Sequence, residues 1–448
     1  MEQASRLFYV RELDSYPRGR RRLFLLFVAV LATLIASYEA QIAPVLPLIM
    51  HDIGMTKEQY GWIVAATVVF SAVGAMLFGP VCDRLGRTAV LVPALFATAA
   101  CVFAMTLVNS IAVLFAVRAT LGLVEGAVVA ASAGLVRDFS PRMGRALAYG
   151  FWTFGPVGSS LMAASIAGNT LPLFDNHWQS QFYIAGVISI VVALFVMFTI
   201  HDLSPSIRHR IMHREDLAHE HAAATTHEQP GVTAAMSHWR IWWMVAGITL
   251  FLMLYLTLQQ FGPLILVESY GFKAAEAAYM SQYFWALNLL TLLGAGWISD
   301  RLQLRKIVSF AGALLTIPVM VTWIALAGTR PSSITMIALM SLLGGMFGVT
   351  YAPWMAWFSE TLEDISTAIQ ASGWAMWTMV LRVYVVCTVI PMTVISQQYG
   401  WQPWLWATVG GVVFYMACIA FSRTPWLRRE ASDVATRTHV YVPETIAE

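Results

Sequence analysis

Along this chain the apolar positions neither alternate nor form a stripe; they come in unbroken runs parted by short polar breaks. Twelve runs are long enough to cross a bilayer as helices, which takes about 20 residues at 1.5 Å rise each. They cover residues 23–48, 60–82, 89–108, 111–136, 146–168, 182–200, 241–267, 277–299, 307–327, 334–358, 369–395 and 404–421. The first follows an arginine-rich leader, but it is longer than the 7–15 residues of a signal-peptide core and reads as a retained helix. The longest polar break, 201–240, falls between the sixth and seventh runs. The pattern therefore predicts an all-α integral membrane protein with twelve transmembrane helices in two six-helix bundles. The expected organisation is a tail at 1–22, a bundle at 23–200, a linker at 201–240, a bundle at 241–422 and a tail at 423–448.

Composition agrees with the bilayer as solvent. Only 12% of residues are charged and 58% are hydrophobic, against about 25% charged in soluble domains. That excludes a cytosolic enzyme. The net charge of +2 and the lack of a basic stripe exclude a nucleic-acid partner. The four cysteines form no CxxC pair, and the linker histidines are irregularly spaced without cysteines, so no disulfide framework and no metal site are expected. The positions of the cations say more than their number. With the N-terminus inside, 22 Lys and Arg fall in inner segments and three in outer loops, which predicts a multi-pass cell-membrane protein with both termini cytoplasmic.

One stretch repeats between the halves. Gly79-Pro-Val-Cys-Asp83-Arg84-Leu-Gly86-Arg87 follows the second run, and Gly296-Trp-Ile-Ser-Asp300-Arg301-Leu-Gln-Leu-Arg305-Lys306 follows the eighth, at an offset of 217 residues. Internal repeats of this kind build many secondary transporters, with the substrate near the midplane between the repeats. On these residues the chain resembles the major facilitator superfamily over nearly its whole length. Arg118-Ala-Thr-Leu-Gly122 resembles that superfamily's helix-four signature, and Gly155-Pro156-Val-Gly158 is an imperfect match to a third, linked to antiporters. The resemblance implies that Gly79, Asp83, Arg84, Gly86, Arg87, Asp300 and Arg301 gate the inner side, with Asp83 latching onto a helix N-terminus of the other half. Read physically, Gly79 lets the second helix end against a neighbour, and the arginines pair with Asp83 or anchor at lipid phosphates.

Four ionisable residues lie deep within runs: Glu39, Arg118, Glu125 and Arg382. Each costs about 2.5–3.5 kcal/mol at a helix centre, so they face a cavity or one another, and their charges sum to zero. Arg118 and Glu125 are seven residues apart and share one helix face, with Gly122 between them leaving room for a helix or a substrate. The segment from Arg118 to Gly126 is similar to helix four of the anion:cation symporter branch, and Tyr38-Glu39-Ala40-Gln41 stands where that branch has its helix-one acid. That resemblance implies proton coupling through Glu39, Glu125 and Arg118. The arginine that follows the acid in that branch is Ala40 here, and Arg382, in the second half alone, is the candidate replacement; a structural ion pair with Glu39 or Glu125 is the other reading of Arg382. Gln259 and Asn288 are further cavity candidates, because a lipid-facing amide has no partner. Tyr38, Tyr351 and Trp374 are aromatic candidates, although most tryptophans pack between helices or sit at the membrane interface.

The expected function is proton-coupled symport of a small organic anion by alternating access, with the proton as coupling ion, no other cofactor, the lipid bilayer as surroundings and a monomer as the working unit. A proton-coupled drug antiporter is the rival within the class, and a membrane receptor the rival outside it. No HExxH or paired-aspartate pattern occurs, so no enzyme is expected.

Overall fold

The structure is a computed structural model that describes residues 12–13, 15–139, 145–204, 207, 236–302, 304–365, 369–422 and 426. The two terminal tails and the linker fall mostly outside the described residues. The first half holds α1 (Gly19–Glu39), α2 (Leu46–Ile53), α3 (Lys57–Leu85), α4 (Arg87–Met105), α5 (Ile111–Asp138), α6 (Arg145–Thr170) and α7 (Gln179–Thr199). The second holds α8 (Trp239–Phe251), α9 (Met253–Tyr270), α10 (Ala274–Leu302), α11 (Arg305–Ala325), α12 (Ser333–Ile365), α13 (Gln370–Tyr399) and α14 (Gln402–Phe421). With α1–α2 and α8–α9 each counted as one interrupted span, these make the twelve crossings the runs predict.

Ten of the spans are long and apolar enough to cross a membrane by length and composition. The other two, α6 and α10, pack against each other across the halves. Their more polar character follows from that position, since a helix covered by protein can carry Asn288 or Ser281 where a lipid-facing one cannot. Small residues set how closely helices approach. A Cβ on Gly122 would lie 2.6 Å from the Thr67 carbonyl of α3, and Gly344 of α12 abuts the Phe284 carbonyl of α10 in the same way. The room that Gly122 leaves is thus filled by a helix.

The first span is broken where the sequence runs on without polar interruption. Pro44 and Pro47 open a 3-10 turn and α2, and Pro44 has no N–H to give the carbonyl of Ala40, the C-cap of α1 four residues earlier. Thr56 and Gln59 form a capping box at the start of α3, which fixes Lys57 at its first turn. Gly86 ends α3 at φ 100°, a conformation L side chains rarely adopt. Beside it Glu12–Leu13 pairs in parallel with Asp202–Leu203.

Candidate transport site

The buried acid and base of the first half do not pair. Arg118 is 4% exposed, and its Nη1 donates to the carbonyl of Ala40 at 2.7 Å. That carbonyl stands at the C-terminus of α1, where the break leaves it open and the helix dipole favours a cation. Glu39 is 2% exposed, and neither of its carboxylate oxygens has a hydrogen-bond partner among the described residues. The hydroxyls of Thr98 on α4 and Ser189 on α7 flank it. Glu39 therefore points into the first half, and Arg118 reaches the backbone one residue away.

Glu125 and Arg382 face each other's halves. Glu125 is half-exposed on α5, and the charges acting on it are Arg118 of its own helix and Arg382 of α13. Arg382 is half-buried and makes no direct ion pair or hydrogen bond among the described residues. The structural pair with Glu39 or Glu125 is thus not formed, and Glu125 lies within electrostatic reach of one cation from each half.

The remaining candidates separate. Tyr351 and Trp374 are half-buried and belong to an aromatic wall of α12 and α13 in which Tyr351 stacks on Trp354 at 5.9 Å and Trp374 meets Trp377 edge-on at 5.7 Å. The indole N–H groups of Trp354 and Trp377 are buried without partners among the described residues. Gln259 is half-buried on α9. Asn288 is buried on α10, and its amide donates to the Gly344 carbonyl at 3.1 Å, tying α10 to α12. Tyr38 is 5% exposed and lines a small cavity with Glu39.

At one end the halves are locked through Lys57, one of the three outer-loop cations. Lys57 Nζ lies 2.9 Å from Glu268 and donates to the Ser396 carbonyl at 2.9 Å, and its backbone N–H donates to Gln397 Oε1 at 3.2 Å. Trp401 stands 5.4 Å from the ammonium and donates its own N–H to Glu268 at 2.6 Å. Tyr60 meets Phe261 edge-on below it.

The repeated motif sits at the other end, where its load is carried differently from expectation. Arg87 is 4% exposed and pairs with Asp138 at the end of α5, while Asp83 is two-thirds exposed with Arg87 of its own half 4.0 Å away. The latch from Asp83 to the second half is not formed among the described residues. Asp202 accepts from the Arg87 N–H at 2.7 Å and caps α4. In the second half Arg305 repeats the arrangement, pairing with Asp300 and, at 3.0 Å, with Glu360 near the end of α12. Arg84 and Arg301 are exposed, Arg301 lying over Trp297 at 5.3 Å. A Cβ on Gly79 would meet nothing within 4 Å, so the end of the second span does not press on a neighbour there. Arg87 and Arg305, with Asp138 and Glu360, were legible only as an Asp–Arg recurrence, since their partners lie about 50 residues away along the chain.

Known proteins share this architecture. The chain is 22% identical to the 4-hydroxybenzoate transporter PcaK of Pseudomonas aeruginosa over 67% of this chain and 70% of that one. It is 30% identical to the niacin transporter NiaP of Acinetobacter baylyi over 47% of each, and 25% identical to the quinolone resistance protein NorA of Staphylococcus aureus over 36% of this chain and 41% of that one. The solved structure of a D-xylose–proton symporter matches with a TM-score of 0.68 at 15% identity, covering 92% of this chain and 98% of that one. With the family model matching residues 23–381, two interrupted six-helix halves and a repeated motif at one end, the chain belongs to the Major Facilitator Superfamily.

Proposed function

We propose that this membrane transporter carries a small organic anion together with protons, by alternating access of a site between its halves. The observation that carries the reading is Glu125 with Arg118 on its own helix and Arg382 on the opposite half. While ionised, Glu125 is the counter-charge of both arginines. Once protonated it leaves them free, and a substrate carboxylate takes its place through charge-assisted hydrogen bonds. One anion then bridges both halves, so loading the site favours their closing around it. The first proton cancels the charge of a monovalent anion, so the membrane potential acts only on a second one, which gains about 2.3 kcal/mol per 100 mV moving inward, roughly a fiftyfold accumulation.

Among carboxylates, aromatic acids fit best, because the wall of Tyr351, Trp354, Trp374 and Trp377 offers ring faces and edges, and two of its members share α13 with Arg382. The two relatives named for 4-hydroxybenzoate and niacin transport support this, as both compounds are aromatic monocarboxylic acids. The same wall also suits lipophilic cations, and the likeness to a quinolone resistance protein favours drug antiport as the second reading; two arginines at the site oppose a cationic load.

The test is uptake of 4-hydroxybenzoate and nicotinate by proteoliposomes. Uptake is expected to quicken when the outside is acidic, and Arg382→Ala is expected to weaken carboxylate binding at least tenfold in thermal-shift titrations. Uptake indifferent to the pH gradient would remove proton coupling, and stabilisation by lipophilic cations alone would favour the antiporter.

A further inference from the structure

Among the described residues the buried Glu39 carboxyl has the Thr98 and Ser189 hydroxyls beside it but no well-formed hydrogen bond, and leaving such a group unsatisfied costs about 1–3 kcal/mol or more. It nevertheless borders empty space. A cavity of about 20 Å³ is lined by Tyr38, Glu39, Gln41, Ala167, Gln181 and Ala185, and a water molecule needs only about 10–15 Å³ of such space. The space exists because alanines stand on the facing surfaces of α6 and α7, while its polar lining comes from two amides and the carboxyl. Gln181 continues the polar line away from Glu39, donating to Thr170 Oγ1 at 2.9 Å and to Ser180 Oγ at 3.2 Å. Ser180 adjoins the exposed turn at 172–177.

Every residue on this line belongs to the first half, and none is a member of the Lys57 lock. The groups facing Glu39 from the packed elements are Thr98 and the Cys101 thiol from α4, Glu125 from α5, and Ser189 from α7, with Arg118 of α5 held at the neighbouring Ala40 carbonyl. Apart from that guanidinium no cation faces the carboxyl among the described residues, so a proton or a water molecule is the partner its oxygens can take.

From this geometry we infer that Glu39 exchanges its proton with the Lys57 face through a water-holding passage inside the first half, past Gln181 and Gln41, separate from the path the substrate takes. In the conformation where the Lys57 lock is shut to substrate, the passage stays open to water. Glu125 meanwhile exchanges through the space between the halves, so the two carboxyls address different faces of the same state. This inference deepens the proton-coupling reading and rests on it.

The test narrows the passage without touching the transport site. In Ala185→Val the added methyl groups occupy the cavity, and in Gln181→Leu the polar link is replaced by an apolar side chain of similar size. The purified proteins are moved from H2O to D2O, and exchange at the Glu39 carboxyl is followed by its infrared C=O band, assigned by its loss in Glu39→Gln. Both variants are expected to slow exchange at least tenfold, to keep 4-hydroxybenzoate counterflow within twofold of the parent, and to lose accumulation driven by a pH gradient. Exchange at the parent rate in both variants overturns the passage, as does fast exchange in the parent that neither variant slows. A parent protein without gradient-driven uptake sinks the coupling reading instead, and the infrared comparison still decides whether water reaches Glu39 by this route.

Discussion

Arg118 and Arg382 carry the same group under different constraint. Arg118 spends one nitrogen on the Ala40 carbonyl and keeps Nε buried without a partner among the described residues, whereas Arg382 is held by no described ion pair. A planar fork can keep the cap on α1 and still offer a second donor to a carboxylate, which an ammonium does less well. Arg118→Lys is therefore expected to fold and to lose about tenfold in affinity for 4-hydroxybenzoate, near the 1.5 kcal/mol of one charge-assisted bond, read by thermal-shift titration. Unchanged affinity would make Arg118 a cap and nothing more. The seven-residue spacing of Arg118 and Glu125 showed a shared face, but the broken first span that draws Arg118 to Ala40 could not be read from an apolar run. Asn288 shows the same limit: an amide in the bilayer must find a partner, yet only the close approach that Gly344 permits reveals which one.

Helices repeat between the halves more faithfully than their environments do. Arg87 opens α4 and pairs with Asp138 of α5, and Arg305 opens α11 and pairs with Glu360 of α12. The repeat was visible in the sequence as Asp83-Arg84 and Asp300-Arg301, but those residues are the exposed ones, because the pattern records position along a helix and not which arginine turns inward. Burial separates the two pairs. The side chains of Arg87 and Asp138 are 4% and 7% exposed, against 13% and 34% for Arg305 and Glu360. Removing one partner of a buried pair leaves an uncompensated charge and costs about 3–5 kcal/mol; an exposed pair is worth at most about 1 kcal/mol. Asp138→Asn is expected to lower the melting temperature sharply and Glu360→Gln barely at all, in parallel melts of purified protein. Equal shifts would mean that the two motifs bear equal load. At Gly86 the positive φ and the Asp202 carboxylate 2.7 Å from a would-be Cβ make Gly86→Ala the damaging glycine change, while Gly79→Ala is expected to melt like the parent.

At the scale of the whole molecule, the twelve runs and the division into halves were legible because lipid demands long apolar helices and polar breaks mark their ends. The conformation was not legible, because it depends on contacts between residues more than 200 positions apart. Lys57 gathers Glu268, Ser396, Gln397 and Trp401 of the second half onto the first turn of α3. If the termini are cytoplasmic, this lock lies on the outer face. The side chains of Lys57 and Glu268 are 11% and 34% exposed, so the ion pair is partly screened, and losing it with the carbonyl contact costs about 1–2 kcal/mol. That corresponds to roughly a five- to thirtyfold shift of the equilibrium toward the state open at this end. Leu173 of the first half and Tyr399 of the second, 76% and 72% exposed, are suitable positions for spin labels in a background with the native cysteines removed. The parent should give one short distance between them. Lys57→Met should add a longer one, and the exchange of charges in Lys57→Glu with Glu268→Lys should reduce it again, because the pair is restored while the Trp401 face is not. A Lys57→Met protein that keeps only the short distance would show that Tyr60, Phe261 and the packing of α6 on α10 hold this end shut without the lysine.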